Sequence, residues 1–352
     1  KIGRAIEELY PDRLEEFYEM LAYHYSRSDN LDKACYYLKL SGNKSTKNHS
    51  LWEAYRFYKE TINVLRQMPE TERNKREQIE VIFLMVIPMR LLGYPEDSIA
   101  FLQEGERLCQ ELGDRRSMAT LYTFICMFYS VKGDPTRGRK YLADSFEEGE
   151  KIQDIEIMAP VGHGLCLSYL VEGEYRKIVN IAPKVIALLE KTQREYEFFV
   201  PHSNSYSYLQ AISGHAMGAL GEFAEGEQFC EKGLSFAHKI NHFFSIGVAE
   251  VRYGFLFIYR GDGENAVKHL QSAIGYLEKS QVVIFLPLSW SMLGYGYYLL
   301  GELDTALKFM EKGLKMRLDT GLPYLLSWHH FGLSSVHFDL ANLNEAKAHA
   351  EQ

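Results

Sequence analysis

Seven turn-like positions divide most of the chain at nearly constant intervals, and this spacing constrains the fold more than any other feature. The anchors are Gly93, Gly133, Gly173, Gly221, Gly261, Gly301 and Ala341, each inside a short string such as Lys132-Gly133-Asp134-Pro135. Successive anchors lie 40, 40, 48, 40, 40 and 40 residues apart. Self-similarity at such a period is the signature of a repeat architecture. Each anchor separates two amphipathic stretches of about 17 residues, and glycine at a helix end readily takes the left-handed conformation that stops a helix. Every unit therefore predicts a helix, a tight turn and a second helix.

Counting from the anchors exposes the packing code. Seven residues before them lie Val86, Cys126, Cys166, Gly214, Gly254, Gly294 and Ser334; five residues after them lie Ser98, Gly138, Ile178, Gly226, Ala266, Ala306 and Ala346. Twelve residues after, Gly105, Ser145, Gly233, Ala273 and Gly313 repeat the preference for small side chains. A glycine inside a helix costs about 1 kcal/mol relative to alanine. Its recurrence at fixed offsets predicts helix backbones crossing too closely for anything larger. Large residues such as Leu293 and Tyr297 hold the complementary positions. The expected fold class is all-α, an α-α superhelix (solenoid) of stacked helical hairpins.

Trp290-Ser291-Met292-Leu293-Gly294-Tyr295-Gly296-Tyr297 matches the W-x2-L-G-x2-Y pattern of tetratricopeptide repeats, with Gly301, Leu303, Ala306 and Gly313 following at the family's places. From roughly residue 73 to 352 the chain resembles that family, although its period exceeds the usual figure of about 34 residues. The longer period resembles the variant found C-terminal to AAA/STAND-type ATPases in bacterial class III adenylate/guanylate cyclases and maltose-activator-type regulators. Residues 1 to 50, with Ile6 to Tyr10, His24-Tyr25 and Lys33 to Leu38, are similar to the junction where such an ATPase passes into its repeats. The chain starts at Lys1 without methionine and stops at Gln352 inside a helical pattern, which predicts a piece of a longer polypeptide.

The expected organisation is an N-terminal helical cap and junction over 1–72, a first sub-array over 73–190, an irregular joint over 191–205 and a second sub-array over 206–352. Two helices, Leu31 to Lys47 and Leu51 to Gln67, are expected within the cap. The joint is placed where the 48-residue interval carries eight extra residues, Ile178 and Val185 fill slots that are small elsewhere, and Pro183 is expected to interrupt its helix early.

Composition removes several function classes. Lys plus Arg total 39 against 47 Asp plus Glu, a net charge of −8, so the basic surplus needed to neutralise phosphates is missing and no nucleic-acid partner is expected. The longest apolar run, Val81 to Met89, is far below the roughly 20 residues of a membrane-spanning helix, so no membrane is expected either. Cys35, Cys109, Cys126, Cys166 and Cys230 are odd in number and scattered, which fits a reducing cytoplasmic compartment better than a disulfide or zinc framework.

No site motif of an enzyme is present. Ser41-Gly42-Asn43-Lys44 lacks the adjacent glycine and lysine of a phosphate-binding loop, and H-E-x-x-H and G-x-S-x-G are missing. The pairs His238/His242 and His330/His337 each lack a third ligand nearby in sequence. No catalytic residue, metal or cofactor is therefore expected.

Stacked hairpins build a long curved wall, the surface that solenoids use for binding. In the tetratricopeptide family the first helix of each hairpin lines that wall, at positions ten, six and three residues before the turn. Carried over by resemblance, these offsets select His163, His215, Phe255, Ile258, Tyr295, Tyr298, Phe331 and Phe338 as candidate groove residues. Aromatic anchors on a rigid surface suit a protein or peptide partner of unknown identity. The resemblance implies a noncatalytic interaction and regulatory module, with the upstream ATPase or cyclase domain as a partner in cis. The alternative is a solenoid that senses an apolar small molecule in its groove.

Overall fold

The computed structural model describes residues 1–200, 203–280, 283–321, 323 and 325–352. It is all-α: among the described residues the sole β-type pairing is an isolated bridge between Val200 and Ser203. Two compact units form, Lys1–Leu121 and Tyr122–Gln352. The first contains α1 (Ile2–Leu9), a 3-10 segment (Pro11–Phe17), α2 (Tyr18–Tyr25), α3 (Leu31–Lys47), α4 (Leu51–Leu65), α5 (Glu72–Leu91) and α6 (Ser98–Leu112). The unit boundary falls inside α7 (Arg115–Val131). Hairpins α8 to α12 follow: α8 (Pro135–Ile152), α9 (Ile155–Glu172), α10 (Tyr175–Thr192), α11 (Ser205–Ala219) and α12 (Phe223–Lys239). The remainder is α13 (Phe243–Arg260), α14 (Gly263–Ser280), α15 (Leu286–Leu299), α16 (Leu303–Asp319), α17 (Leu326–Asp339) and α18 (Leu343–Ala350).

In the first unit a partly buried polar knot fastens the N-terminal helix. Glu7 accepts hydrogen bonds from Tyr25 at 2.7 Å, Tyr37 at 2.6 Å and Lys33 at 2.5 Å, joining α1 to α2 and α3. The side chain of Asn30 accepts from the amide of Lys33 and fixes the start of α3, as N-cap residues do.

The turns obey the sequence spacing. The glycine anchors take positive φ, from 73° at Gly93 to 88° at Gly133, and Ala341 follows with 59°. A second series of left-handed residues ends the second helices: Gly113, Gln153, Gln193, Asn241 and Gly321 lie 20 residues after Gly93, Gly133, Gly173, Gly221 and Gly301. The long interval therefore divides into 20 residues from Gly173 to Gln193 and 28 from Gln193 to Gly221. All eight extra residues fall in the connection after α10, and no helix is lengthened. Arg194 pairs there with Glu156 and Glu197, while the amide of Asn204 donates to the carbonyls of Glu195 and Glu197 at 2.8 and 3.3 Å. Pro201 and His202, part of the expected joint, lie outside the described residues.

Pro183 does not end its helix, contrary to the expectation from sequence. α10 runs unbroken to Thr192, because a proline removes one backbone hydrogen bond that burial of Ile178, Ala182, Val185 and Ile186 around it outweighs. The bulky Val185 is accommodated by an exchange of sizes. A side chain built on Gly162 of α9 would stand 2.8 Å from Val185 Cγ2, so the glycine has moved to the facing helix.

The crossing positions behave as the offsets require. A Cβ on Gly294 would lie 2.7 Å from the carbonyl oxygen of Ala306 and from Met310 Cγ, and one on Gly138 would lie 2.8 Å from Cys126 Cα. Residues seven before and five after an anchor thus face each other backbone to backbone. Replacing Gly294 by leucine is expected to overpack α15 against α16 and to cost about 1–3 kcal/mol or more. Urea denaturation checks this; an unchanged midpoint contradicts the hairpin register.

Candidate functional site

The eight wall positions divide into two environments. His163 (4% exposed), His215 (2%), Phe255 (2%) and Ile258 (8%) are interior. They present no groove surface, which corrects the expectation from sequence. The cause is cover supplied by neighbouring elements. His163 stacks on Tyr208 of α11 with centroids 3.7 Å apart. Trp328, at the start of α17, sits edge-on to Phe255 at 5.2 Å and contacts Tyr259 at 6.4 Å. Leu325, itself in the left-handed conformation, lines the same small cavity as Trp328, His215 and Phe255.

Of the other four candidates, Tyr295, Tyr298 and Phe331 form one aromatic step, and Phe338 is exposed seven residues beyond Phe331 on α17. Phe331 and Phe338 are 54% and 65% exposed, and Tyr295 and Tyr298 are half-buried. Tyr295 stacks on Phe331 with centroids 5.8 Å apart and planes 17° from parallel, and Tyr298 lies 5.3 Å from Tyr295. Their helices are held by a core of Ala306, Met310, Leu333 and Val336, against which both tyrosines also pack. Burial raises the Tyr295 phenol, and burial together with a hydrogen bond to Asp339 pushes Tyr298 up to about 12. Both rings stay neutral at physiological pH.

The interior beneath this step is polar in places that an apolar hydropathy pattern conceals. Tyr175, Tyr259 and His215 form a relay: Tyr175 and Tyr259 hydroxyls are 3.3 Å apart, and Tyr259 is 3.1 Å from His215 Nε2. Burial, reinforced by the charge of Arg252, holds the His215 imidazole well below its ordinary pKa. Glu250 binds His269 at 2.6 Å and Ser272 at 2.7 Å. His329 is fully buried beside the Ser291 hydroxyl at 2.6 Å; burial, then Arg317 and His330, pushes it down to about 3. Arg252, Tyr175, Tyr259, Leu325 and Trp328 escaped the sequence reading. A lone arginine in the apolar string Val251-Arg252-Tyr253-Gly254-Phe255 was the available signal.

The histidine pairs have other occupations. His242 caps α13 by accepting from the Ser245 amide, His238 sits edge-on to Tyr276, and His330 bonds His349 at 2.9 Å. Among the described residues no three His, Cys, Asp or Glu side chains converge as a metal site. All five cysteines are buried, and burial pushes Cys126 up to about 12, so the thiol there is inert packing. No described helix is long and apolar enough to cross a membrane.

With this geometry in place, the comparisons define the class. The chain has the fold of tetratricopeptide-type helical solenoids. It is similar, at 15% identity and a TM-score of 0.53, to a signal transduction ATPase with numerous domains carrying a tetratricopeptide repeat sensor from Pyrococcus horikoshii; the match covers 97% of this chain but 53% of that one. The chain thus spans about half the length of that protein. Aspartyl phosphate phosphatase F from Bacillus subtilis is 12% identical with a TM-score of 0.54, covering 96% of this chain and 92% of the other. A Rap protein complexed with competence and sporulation factor is 10% identical with a TM-score of 0.51, covering 96% and 95%. No family model and no curated protein sequence matches the chain.

Two outcomes follow from the site. Because Tyr295 and Tyr298 are half-buried rather than interior, replacing both by alanine should leave helicity unchanged and lower the melting temperature by only a few degrees. A collapse of the transition would make them core. Because His329 is held neutral when folded but titrates near its ordinary value of about 6.5 when unfolded, the unfolded chain binds more protons between those values. Stability should fall as pH drops from about 6.5 toward 3, by up to about 1.4 kcal/mol per pH unit for this group. His329→Gln should flatten that slope in denaturation series at pH 7.5 and 5.5.

Proposed function

We propose that this chain is a noncatalytic module that receives a protein or peptide and passes the event to another domain, with an ATPase or cyclase in the same polypeptide as the recipient. The supporting observation is the aromatic step of Tyr295, Tyr298 and Phe331, with Phe338 exposed on the same helix as Phe331. These rings are displayed on two helices locked by a common core, and two of them are more than half exposed. Large rings with two side-chain torsions bury much area at small entropic cost, which is why such residues dominate binding hot spots. Similarity in fold to an ATPase with a repeat sensor supports the coupling by analogy alone. A cytoplasmic setting is part of the proposal.

The reading of an apolar small-molecule groove loses ground, since the cavity lined by His215, Phe255 and Trp328 holds only about 10 Å³. A photo-crosslinking phenylalanine analogue at position 331 or 338 tests the main reading. Discrete protein adducts are expected there that excess unlabelled chain competes away and that do not form from Leu9, an equally open position in the other unit at 70% exposure. Identical adduct patterns from all three positions would refute it.

A further inference from the structure

Arg252 presents a buried charge that nothing described compensates. Its side chain is 1% exposed, and its Nε and Nη2 atoms have no hydrogen-bond partner. A guanidinium keeps its charge inside a protein, and an unpaired buried charge is strongly unfavourable. No described carboxylate is paired with it; Glu250, two positions earlier, is already engaged by His269 and Ser272. Among the described residues its cation–π contact is the Phe285 ring, whose centre lies 5.9 Å away.

A second unsatisfied group borders the same cavity. His215 is 2% exposed and its Nδ1 atom is unpartnered. In the arrangement where Tyr175 donates to Tyr259 and Tyr259 donates to His215 Nε2, the hydrogen of the neutral imidazole resides on Nδ1. In that arrangement the two side chains bring unpartnered N–H groups at Arg252 Nε and Nη2 and at His215 Nδ1, together with one full positive charge. Arg252 and His215 both line a cavity of about 10 Å³, closed by Phe255, Leu325 and Trp328. That is room for about one water-sized occupant.

We propose that Arg252 and His215 hold a small monovalent anion of about chloride size between α11 and α13. A water molecule fits the volume but brings no charge, whereas a halide accepts from all three N–H groups and neutralises the guanidinium. A carboxylate oxygen would satisfy the same donors, and formate is the smallest probe that carries one. The anion would join two successive hairpins and reach Trp328 of α17, so its binding is read as added stability of the folded chain.

The test is a thermal-unfolding titration of the intact chain with sodium chloride, bromide, formate or sulfate, with ionic strength held constant by sodium gluconate. Saturable rises in melting temperature are expected with chloride and bromide. A comparable rise with formate extends the class to small carboxylates, and sulfate is expected to do nothing. Arg252→Met should abolish the halide dependence. Crystals grown in bromide keep the proposal testable even if that variant does not fold, since an anomalous peak is expected beside Arg252 Nη2 and His215 Nδ1. A titration in which no small anion exceeds gluconate, a rise with sulfate alone, or a bromide crystal with no peak there would each overturn the site.

Discussion

The structure depends on close backbone crossing within each hairpin. Where Gly294 meets Ala306 and Met310, no space remains for even one additional carbon, and the same holds where Gly138 meets Cys126. Such contacts bring two helices near enough for dispersion to act along their length, and each lost contact weakens the well steeply. The glycines that permit this destabilise their own helices. Their stabilising effect is therefore tertiary, and it is realised only when the partner helix is in place, which is why a hairpin rather than a single helix is the folding unit.

Much of the architecture was legible because the crossing code is local. The anchors Gly93 to Gly301 marked the turns within hairpins, and Ala341 marked the last even without glycine's freedom. The turns between hairpins stayed hidden, because Gln153, Gln193 and Asn241 adopt the same left-handed conformation without a distinctive residue type. Pro183 misled for a related reason. A proline's local penalty is plain in sequence, but the burial that offsets it belongs to neighbouring helices.

The wall was half legible. Offsets from the anchors led to Tyr295, Tyr298, Phe331 and Phe338, which are half-buried or exposed, but also to four interior residues. What covers Phe255 and His215 is Leu325 and Trp328, far along the chain, and no periodicity reports a connection folded back over earlier helices. Likewise, Arg252 looks like an ordinary surface charge until its exposure is known. Polar residues inside first helices are the main feature that separates this interior from a purely apolar stack, and each is costly unless satisfied.

The exchange between Gly162 and Val185 has a consequence for how such a chain can change over time. At this one slot the other second helices carry a small residue (Gly105, Ser145, Gly233, Ala273, Gly313) and the other first helices a larger one (Ile82, Tyr122, Gln210, Glu250, Trp290); between α9 and α10 the parity is reversed. Helices from this hairpin are thus matched to each other and mismatched to their counterparts. Recombination that trades whole hairpins preserves the fit, whereas recombination that splits this one would bring valine against bulk on one side and leave an empty notch on the other. The reversed pair therefore travels as a single heritable block.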